Sequence, residues 1–286
     1  MSWLVLSLVC AFSLATADAL TKRYLAAYSP LEAVLVRFGY AGMMMVPLVL
    51  VNPLPPVPPA FWGLLALLVP LELLAMWFYV RAIQTSPLAL TLPYLAFTPV
   101  LVTVTGYVVL GETVPLVGLV GVLLVVAGAW LLNVERLHEG VLAPFAAISH
   151  EPGARFMLAT AALYSLTAVF GKAAMAHATP ASFGPFYFAL LGVATLVLFG
   201  GRRRAGLAVL WRRPWAGGAV GLAMGVMAVT HFLALDLVEA AYMIAVKRTS
   251  LLFGIVYGAL WFHEERLAQH LAAGAVMLAG VVMLSI

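Results

Sequence analysis

Cysteine is almost missing: Cys10 is the single one in 286 residues, so neither an internal disulfide nor a cysteine-rich metal centre can form. Charge is scarce as well. Asp, Glu, Lys and Arg make up 9% of the chain, against roughly 25% in an ordinary soluble domain. There is no phosphate loop of the Walker type and no Gly-x-Ser-x-Gly elbow, which removes ATP-driven pumps and serine hydrolases. His263-Glu264-Glu265-Arg266 lacks the second histidine of a zinc-protease helix. The expectation is a protein without catalytic residues, metal or cofactor. The formal charge of +4 does not point to nucleic acid, because no exposed domain is present to carry a basic patch. In so apolar a chain, loop cations are first a topology signal.

Apolar residues fill the space that charge leaves. At 65% hydrophobic and a mean hydropathy of +1.09, the sequence is that of an all-α polytopic membrane protein. Apolar runs of span length fall at Ser2–Leu20, Leu31–Val51, Ala60–Ile83, Leu88–Leu110, Val114–Leu132, Arg155–His177, Ser182–Gly200, Trp215–Leu235, Ala240–Phe262 and Leu267–Ile286. Connections are short; the longest, Asn133–Ala154, is polar and central. Ala15-Thr16-Ala17 resembles a signal-peptidase site, but the first run lacks a basic leader segment and reads as a mature span.

The chain repeats itself. Lys22 and Pro30 recur as Lys172 and Pro180, an offset of 150; Ala82-Ile83, Glu112 and Gly128 recur as Ala234-Leu235, Glu264 and Gly280, an offset of 152. Residues 1–133 and 155–286 are therefore expected to be two five-helix repeats joined by 134–154. An odd number of spans per repeat inverts the second, the design of secondary transporters with a central cavity between repeats. Counting alternate loops puts Lys22, Arg23, Arg81, Arg136, Arg155, Arg202, Arg203, Arg204, Arg212, Arg213 and Arg266 on one side. By the positive-inside rule that side is cytoplasmic and both termini are outside. The Arg202–Arg213 loop reads as an orientation anchor.

Lys247 and Arg248 sit mid-way along the ninth run. Each costs roughly 2.5–3.5 kcal/mol at a helix centre, so such residues face protein, water or an anion. They read as an anion site; snorkelling or internal salt bridging is the alternative. Pro93 and Pro99 kink or break the fourth run. Glu72, mid-span, would carry a coupling proton or neutralise Arg37 or Lys247. Asp18 stands four residues before Lys22, a spacing for an intrahelical pair. Lys22 and Lys172 gain interest as repeat mates. Tyr79, Tyr94, Tyr242, Tyr187 and Trp77 line a cavity or anchor at interfaces. Glu112 and Glu264 read as complements to the dipoles of the spans they open, and Asp236 and Glu239 as loop residues. Gly217, Gly221 and Gly225 form a small-residue ridge for packing within the chain or in a homodimer.

Pro87-Leu88-Ala89-Leu90-Thr91-Leu92-Pro93 leading to Thr98-Pro99 and Gly111-Glu112, with Val246-Lys247-Arg248-Thr249-Ser250 leading to Glu264, resembles the drug/metabolite transporter superfamily in its bacterial EamA branch. The resemblance covers the whole chain. It implies ten helices around a cavity that opens to one side at a time, in a multi-pass protein of the cell inner membrane. The Lys247-Arg248 doublet is similar to the pair that holds phosphate in plastid phosphate translocators and to one in nucleotide-sugar transporters. The expected function is secondary transport of a small polar or anionic metabolite, with Lys247, Arg248, Lys22, Lys172, Tyr94, Tyr79 and Tyr242 binding and Glu72, Arg37 and Asp18 coupling or gating. A non-transporting membrane sensor and a flippase for a lipid-linked anion are the alternatives. Small molecules and membrane lipids are the expected partners.

Overall fold

The computed structural model describes residues 2–85, 94–131, 152–200, 204–262 and 267–285. Helix starts follow local chemistry. Ser2 caps α1 (Trp3–Tyr24) by accepting from the Val5 amide. Ser29 opens α2 (Pro30–Val51) with a capping box, its hydroxyl on the Glu32 amide and the Glu32 carboxylate on the Ser29 amide at 2.7 Å. Then come α3 (Pro59–Thr85), α4 (Thr98–Leu110), α5 (Leu116–Leu131) and α6 (Pro152–Met175). Thr179 caps α7 (Pro180–Thr195) and again precedes a proline at the first helical position. The repeated Ser/Thr-Pro step is thus a repeated helix start. After a π turn at Leu196–Gly200 follow α8 (Arg204–Arg212), α9 (Pro214–Leu235), α10 (Ala240–Lys247), α11 (Ser250–Phe262) and α12 (Leu267–Leu284).

Among the described residues, seven stretches are long and apolar enough to cross a membrane, at the first to third and sixth to ninth expected spans. Shorter apolar helices occupy the fourth, fifth and tenth positions. The chain is a multi-pass, all-helical membrane protein. Ala15-Thr16-Ala17 lies within α1. Two features depart from the sequence reading. The ninth span is not one helix but α10 and α11. The Arg202–Arg213 loop contains α8, which is too short and too charged to register as a span. Pro93, Glu264, Arg136, Arg202, Arg203, Arg266 and residues 132–151 lie outside the described residues; 152–154 begin α6.

The chain packs as two compact units, each drawing helices from both sequence halves: Met1–Leu73 with Phe170–Val238, and Leu74–Val169 with Glu239–Ile286. In the first unit α1 packs on α9, and α2 on α7 and α9. Gly42 and Gly192 bring α2 and α7 into backbone contact. A Cβ on Gly42 would lie 2.9 Å from Gly192 Cα and 3.0 Å from the Phe188 carbonyl oxygen; one on Gly192 would lie 3.0 Å from Gly42 Cα and 3.0 Å from the Phe38 oxygen. The contact is reciprocal, and its partners are 150 residues apart. Gly217 and Gly221 receive Tyr40, and Gly225 receives Met45. That ridge is filled from within the chain, which decides against its use between protomers. Phe183, Tyr187, Phe188 and Phe232 interlock edge-to-face and stacked around it, so Tyr187 is a core residue here.

In the second unit α5 packs on α12 through another reciprocal pair. A Cβ on Gly128 would strike the Met277 amide nitrogen at 2.6 Å and the Ala273 oxygen at 2.8 Å. One on Gly280 would strike the Val125 amide nitrogen at 2.8 Å and the Gly121 oxygen at 2.7 Å. Each partner maps onto the other at an offset of 152. In lipid, helix association relies on such close packing because no hydrophobic drive separates helix from solvent. The end of α3 meets the start of α6 in the same unit, where Phe78 stacks on Phe156 and Trp77 meets it edge-on.

Candidate functional site

The break between α10 and α11 falls on the Lys-Arg doublet. Lys247 ends α10, and Arg248 and Thr249 form the turn before Ser250 opens α11. The backbone tightens from α to 3₁₀ bonding: Thr249 N–H donates to the Val246 carbonyl at 3.0 Å, Leu251 to Arg248 at 3.0 Å, and Leu252 to Thr249 at 2.9 Å. The Thr249 hydroxyl also donates to Val246 O at 2.7 Å. Lys247 is half-buried, whereas Arg248 is 4% and Thr249 1% exposed.

The fourth span has the same turn at the repeat-equivalent place. Tyr94 and Leu95 are helical, Ala96-Phe97 form a turn, and α4 starts at Thr98. Ala96-Phe97 and Arg248-Thr249 are 152 residues apart, and α4 and α11 each have 13 residues. Phe97 N–H donates to Tyr94 O at 3.2 Å, matching Thr249 to Val246. The physical cause here is Pro99. It has no N–H to give the Leu95 carbonyl, and the Thr98 hydroxyl donates there instead at 2.6 Å. Tyr94 and Phe97 pack edge-on against Trp130. Both turns belong to the second unit, and α10 packs on α4.

Glu112 fixes the far end of α10. Gly111, at φ 69°, ends α4 in the left-handed region, and Glu112 N–H closes back on the Gly106 carbonyl at 3.3 Å. The reversal aims the Glu112 carboxylate at the Ala240 amide, 3.0 Å away. Glu239, at the N-cap position of α10, makes no side-chain cap bond. The sequence reading gave Glu112 to the dipole of the following span; its carboxylate serves α10 instead, by the same physics. Tyr242 on α10 lies over Gly118, where any Cβ would collide with its hydroxyl. Tyr79 is buried in the same unit.

The remaining candidates lie in the first unit. Arg37, 1% exposed, donates to Asp18 at 2.7 Å, to the Thr21 hydroxyl at 3.1 Å and to Met224 Sδ at 3.4 Å, joining α1, α2 and α9. The sequence reading offers Arg37 as one of several partners for Glu72 and sets Asp18 four residues before Lys22; the Arg37–Asp18 pair joins residues 19 apart on different helices, which spacing does not reveal. Glu72 is half-buried on α3, two residues past Pro70. Lys22 is exposed at the end of α1. Lys172 donates to the Val238 carbonyl and so ties the end of α6 to the turn after α9. The structure thus gathers Lys247, Arg248, Tyr94, Tyr79, Tyr242 and Pro99 in one unit, and Asp18, Arg37, Glu72, Lys22 and Lys172 in the other. The repeat offset was the signal that could have revealed the α10–α11 break from the proline-driven break before α4.

The family model described as the EamA-like transporter family matches residues 1–134. Over those residues the chain is similar to that family, and the match covers 134 of its 286 residues. The EamA-like region contains Asp18, Lys22, Arg37, Glu72, Pro99 and Glu112, and ends before Lys247 and Arg248. No curated protein matches the chain. A solved crystal structure, described only as that of a protein, superposes with a TM-score of 0.77 at 15% identity, covering 100% of this chain and 99% of that one. At that identity the likeness establishes a shared fold and nothing about ligands. The apolar helices are those of a multi-pass membrane protein, and its first half is similar to transporters of the drug/metabolite type.

Proposed function

We propose that the protein is a secondary transporter that moves a small anionic metabolite across the cell inner membrane by alternating access. Residues 1–133 and 155–286 would be inverted five-helix repeats. The reciprocal contact of Gly42 with Gly192, and the paired contacts of Gly128 with Met277 and of Gly280 with Val125, whose members are repeat mates, support that reading, because self-complementary contact is what a two-fold relation produces. The observation that carries the function is the Lys247-Arg248 doublet on a helix break inside an apolar span. Broken helices at matching positions mark transporter sites, and fixed cations at bilayer depth are there for a ligand or pathway.

In this reading Arg248 and Lys247 bind the anion, and Tyr94, Tyr79 and Tyr242 shape the site. Lys22 and Lys172 are weaker candidates, since Lys172 already holds a backbone carbonyl. Arg37 and Asp18 form a gating pair, and Glu72 supplies proton coupling. The termini lie outside, on the positive-inside count.

The test is flux in liposomes together with thermal shift of purified protein against phosphorylated and carboxylated metabolites. A ligand that binds the folded state stabilises it by mass action. A stabilising anion that is also transported, with both effects lost in Lys247→Ala and Arg248→Ala, is the expected result. Stabilisation without flux would turn the assignment to a sensor, and scrambling of a lipid-linked anion would turn it to a flippase.

A further inference from the structure

The corner Trp211-Arg212-Arg213-Pro214-Trp215 joins α8 to α9 at one end of the first unit. Pro214 starts α9 and pushes Arg213 out of helical conformation, to φ −144° and ψ 72°, so α8 must stop at Arg212. α8 is docked on one side only. Val209 and Leu210 are buried, and Tyr40 on α2 donates its hydroxyl to the Leu210 carbonyl at 2.7 Å. On another face, Leu207 and Trp211 lie one turn apart and stand 48% and 76% exposed, with Trp215 at 60%. This apolar face adjoins fixed cations. Arg213 donates to the Tyr24 carbonyl at 3.2 Å. Arg212 lies over the Tyr28 ring and reaches Glu32 at 3.1 Å, yet its side chain is 53% exposed. Arg23 and Lys22, both exposed, end α1 beside them, and Tyr24 packs edge-on against Trp215 at 4.5 Å. Among the described residues, the acidic groups at this end are Glu32, engaged by Arg212, and Asp18, engaged by Arg37.

We propose that this corner is a seat for the headgroup of an anionic phospholipid, held at its phosphate by Arg212, Arg213 and Arg23, with an acyl chain along Leu207 and Trp211. Short helices with a cationic edge and an aromatic-apolar face lie in the headgroup layer. Tryptophan marks that depth. Each arginine at an anionic membrane surface contributes on the order of a five-fold preference. Anchoring one end of the first unit in anionic lipid is independent of the substrate site proposed above.

The full chain is reconstituted in phosphatidylcholine vesicles containing a small fraction of spin-labelled phosphatidylglycerol or, in parallel, spin-labelled phosphatidylcholine. Tryptophan quenching is the readout, and Trp211→Phe/Trp215→Phe supplies the background from the other tryptophans. The expected result is several-fold stronger quenching of Trp211 and Trp215 by the phosphatidylglycerol probe. Its apparent affinity falls by about an order of magnitude in Arg212→Gln/Arg213→Gln and is largely kept in Arg212→Lys/Arg213→Lys. Equal quenching by the two probes in the native sequence overturns the proposal without any variant. So does an excess that survives the glutamine variant undiminished. An excess abolished by millimolar inorganic phosphate overturns it too, by assigning the arginines to a free anion.

Discussion

Arg37 and Asp18 meet at 2.7 Å from different helices, with the arginine 1% exposed and the aspartate side chain 31% exposed. The pair, with Thr21 and Met224, ties three helices of the first unit at one point. Removing one partner of a buried pair strands the other charge, whereas replacing both is often tolerated. Arg37→Met is expected to lower unfolding stability by roughly 2–4 kcal/mol, toward the low side of buried pairs because Asp18 keeps some solvent. Asp18→Asn/Arg37→Met is expected to recover at least half of that loss. Melting in detergent measures it; additive losses would show that the contact couples nothing.

The two reciprocal glycine contacts set a second expectation. Gly128→Ala places a methyl 2.6 Å from the Met277 amide nitrogen, so the helices must separate. Gly42→Ala meets backbone at 2.9 Å. Each is expected to destabilise by about 1–3 kcal/mol or more, since backbone yields less readily than a side chain. Gly63→Ala, with open space around its Cβ, is the control and is expected to be neutral or slightly stabilising. Equal melting points for Gly128→Ala and Gly63→Ala would refute the packing argument.

Much of this architecture was legible before any coordinates. Apolar run length placed the spans, and the offset of 152 named Gly128 and Gly280, each of which lies against the backbone of the facing helix, at Met277 and at Val125. The site was partly legible: Lys247 and Arg248 stand out because charge is improbable in an apolar run. What stayed hidden depended on partners distant in sequence. Arg37 on α2 reaches Asp18 on α1, 19 residues away, which no spacing rule encodes. Glu112 caps a helix 128 residues away because Gly111 reverses the chain. The α10–α11 break has no proline of its own, so only its mate before α4 announced it.

Glu112 can be tested where it acts. Glu112→Ala removes the acceptor for the Ala240 amide and the negative charge at the start of α10, together about 1–2 kcal/mol. Hydrogen exchange of the amides in Ala240–Lys247 is expected to quicken, while exchange in α12 stays unchanged. Glu112→Gln, which keeps an acceptor without the charge, is expected to fall between the two. Uniform quickening throughout the protein would instead mean that Glu112 supports global packing.

Thr98 is expected to matter because of its neighbour. Its hydroxyl satisfies the Leu95 carbonyl that Pro99 leaves without an N–H. Thr98→Val keeps the shape and strands that carbonyl in a buried setting, at a cost of about 1–3 kcal/mol. In Thr98→Val/Pro99→Ala the restored amide can reach Leu95 O, so the double variant is expected to regain stability. It is also expected to straighten the fourth span and to lose transport, if the break is needed for the site. A stable double variant with native flux would separate the break from function.

Lys247 and Arg248 are neighbours in unlike surroundings, and their variants should differ. Arg248 is buried, so Arg248→Ala is expected to lower stability even without ligand, by leaving its surroundings unfilled. Lys247 is half-buried, so Lys247→Ala is expected to fold with native stability yet lose the anion-dependent rise in melting temperature. The loss of a charge-assisted bond corresponds to roughly 1.5–3 kcal/mol, or about ten- to hundred-fold in affinity. Arg248→Lys keeps the charge without the planar fork and is expected to bind more weakly than Lys247→Arg does. Indistinguishable binding in those two variants would mean that the doublet acts as diffuse positive charge, and the geometry of the break would then explain nothing about recognition.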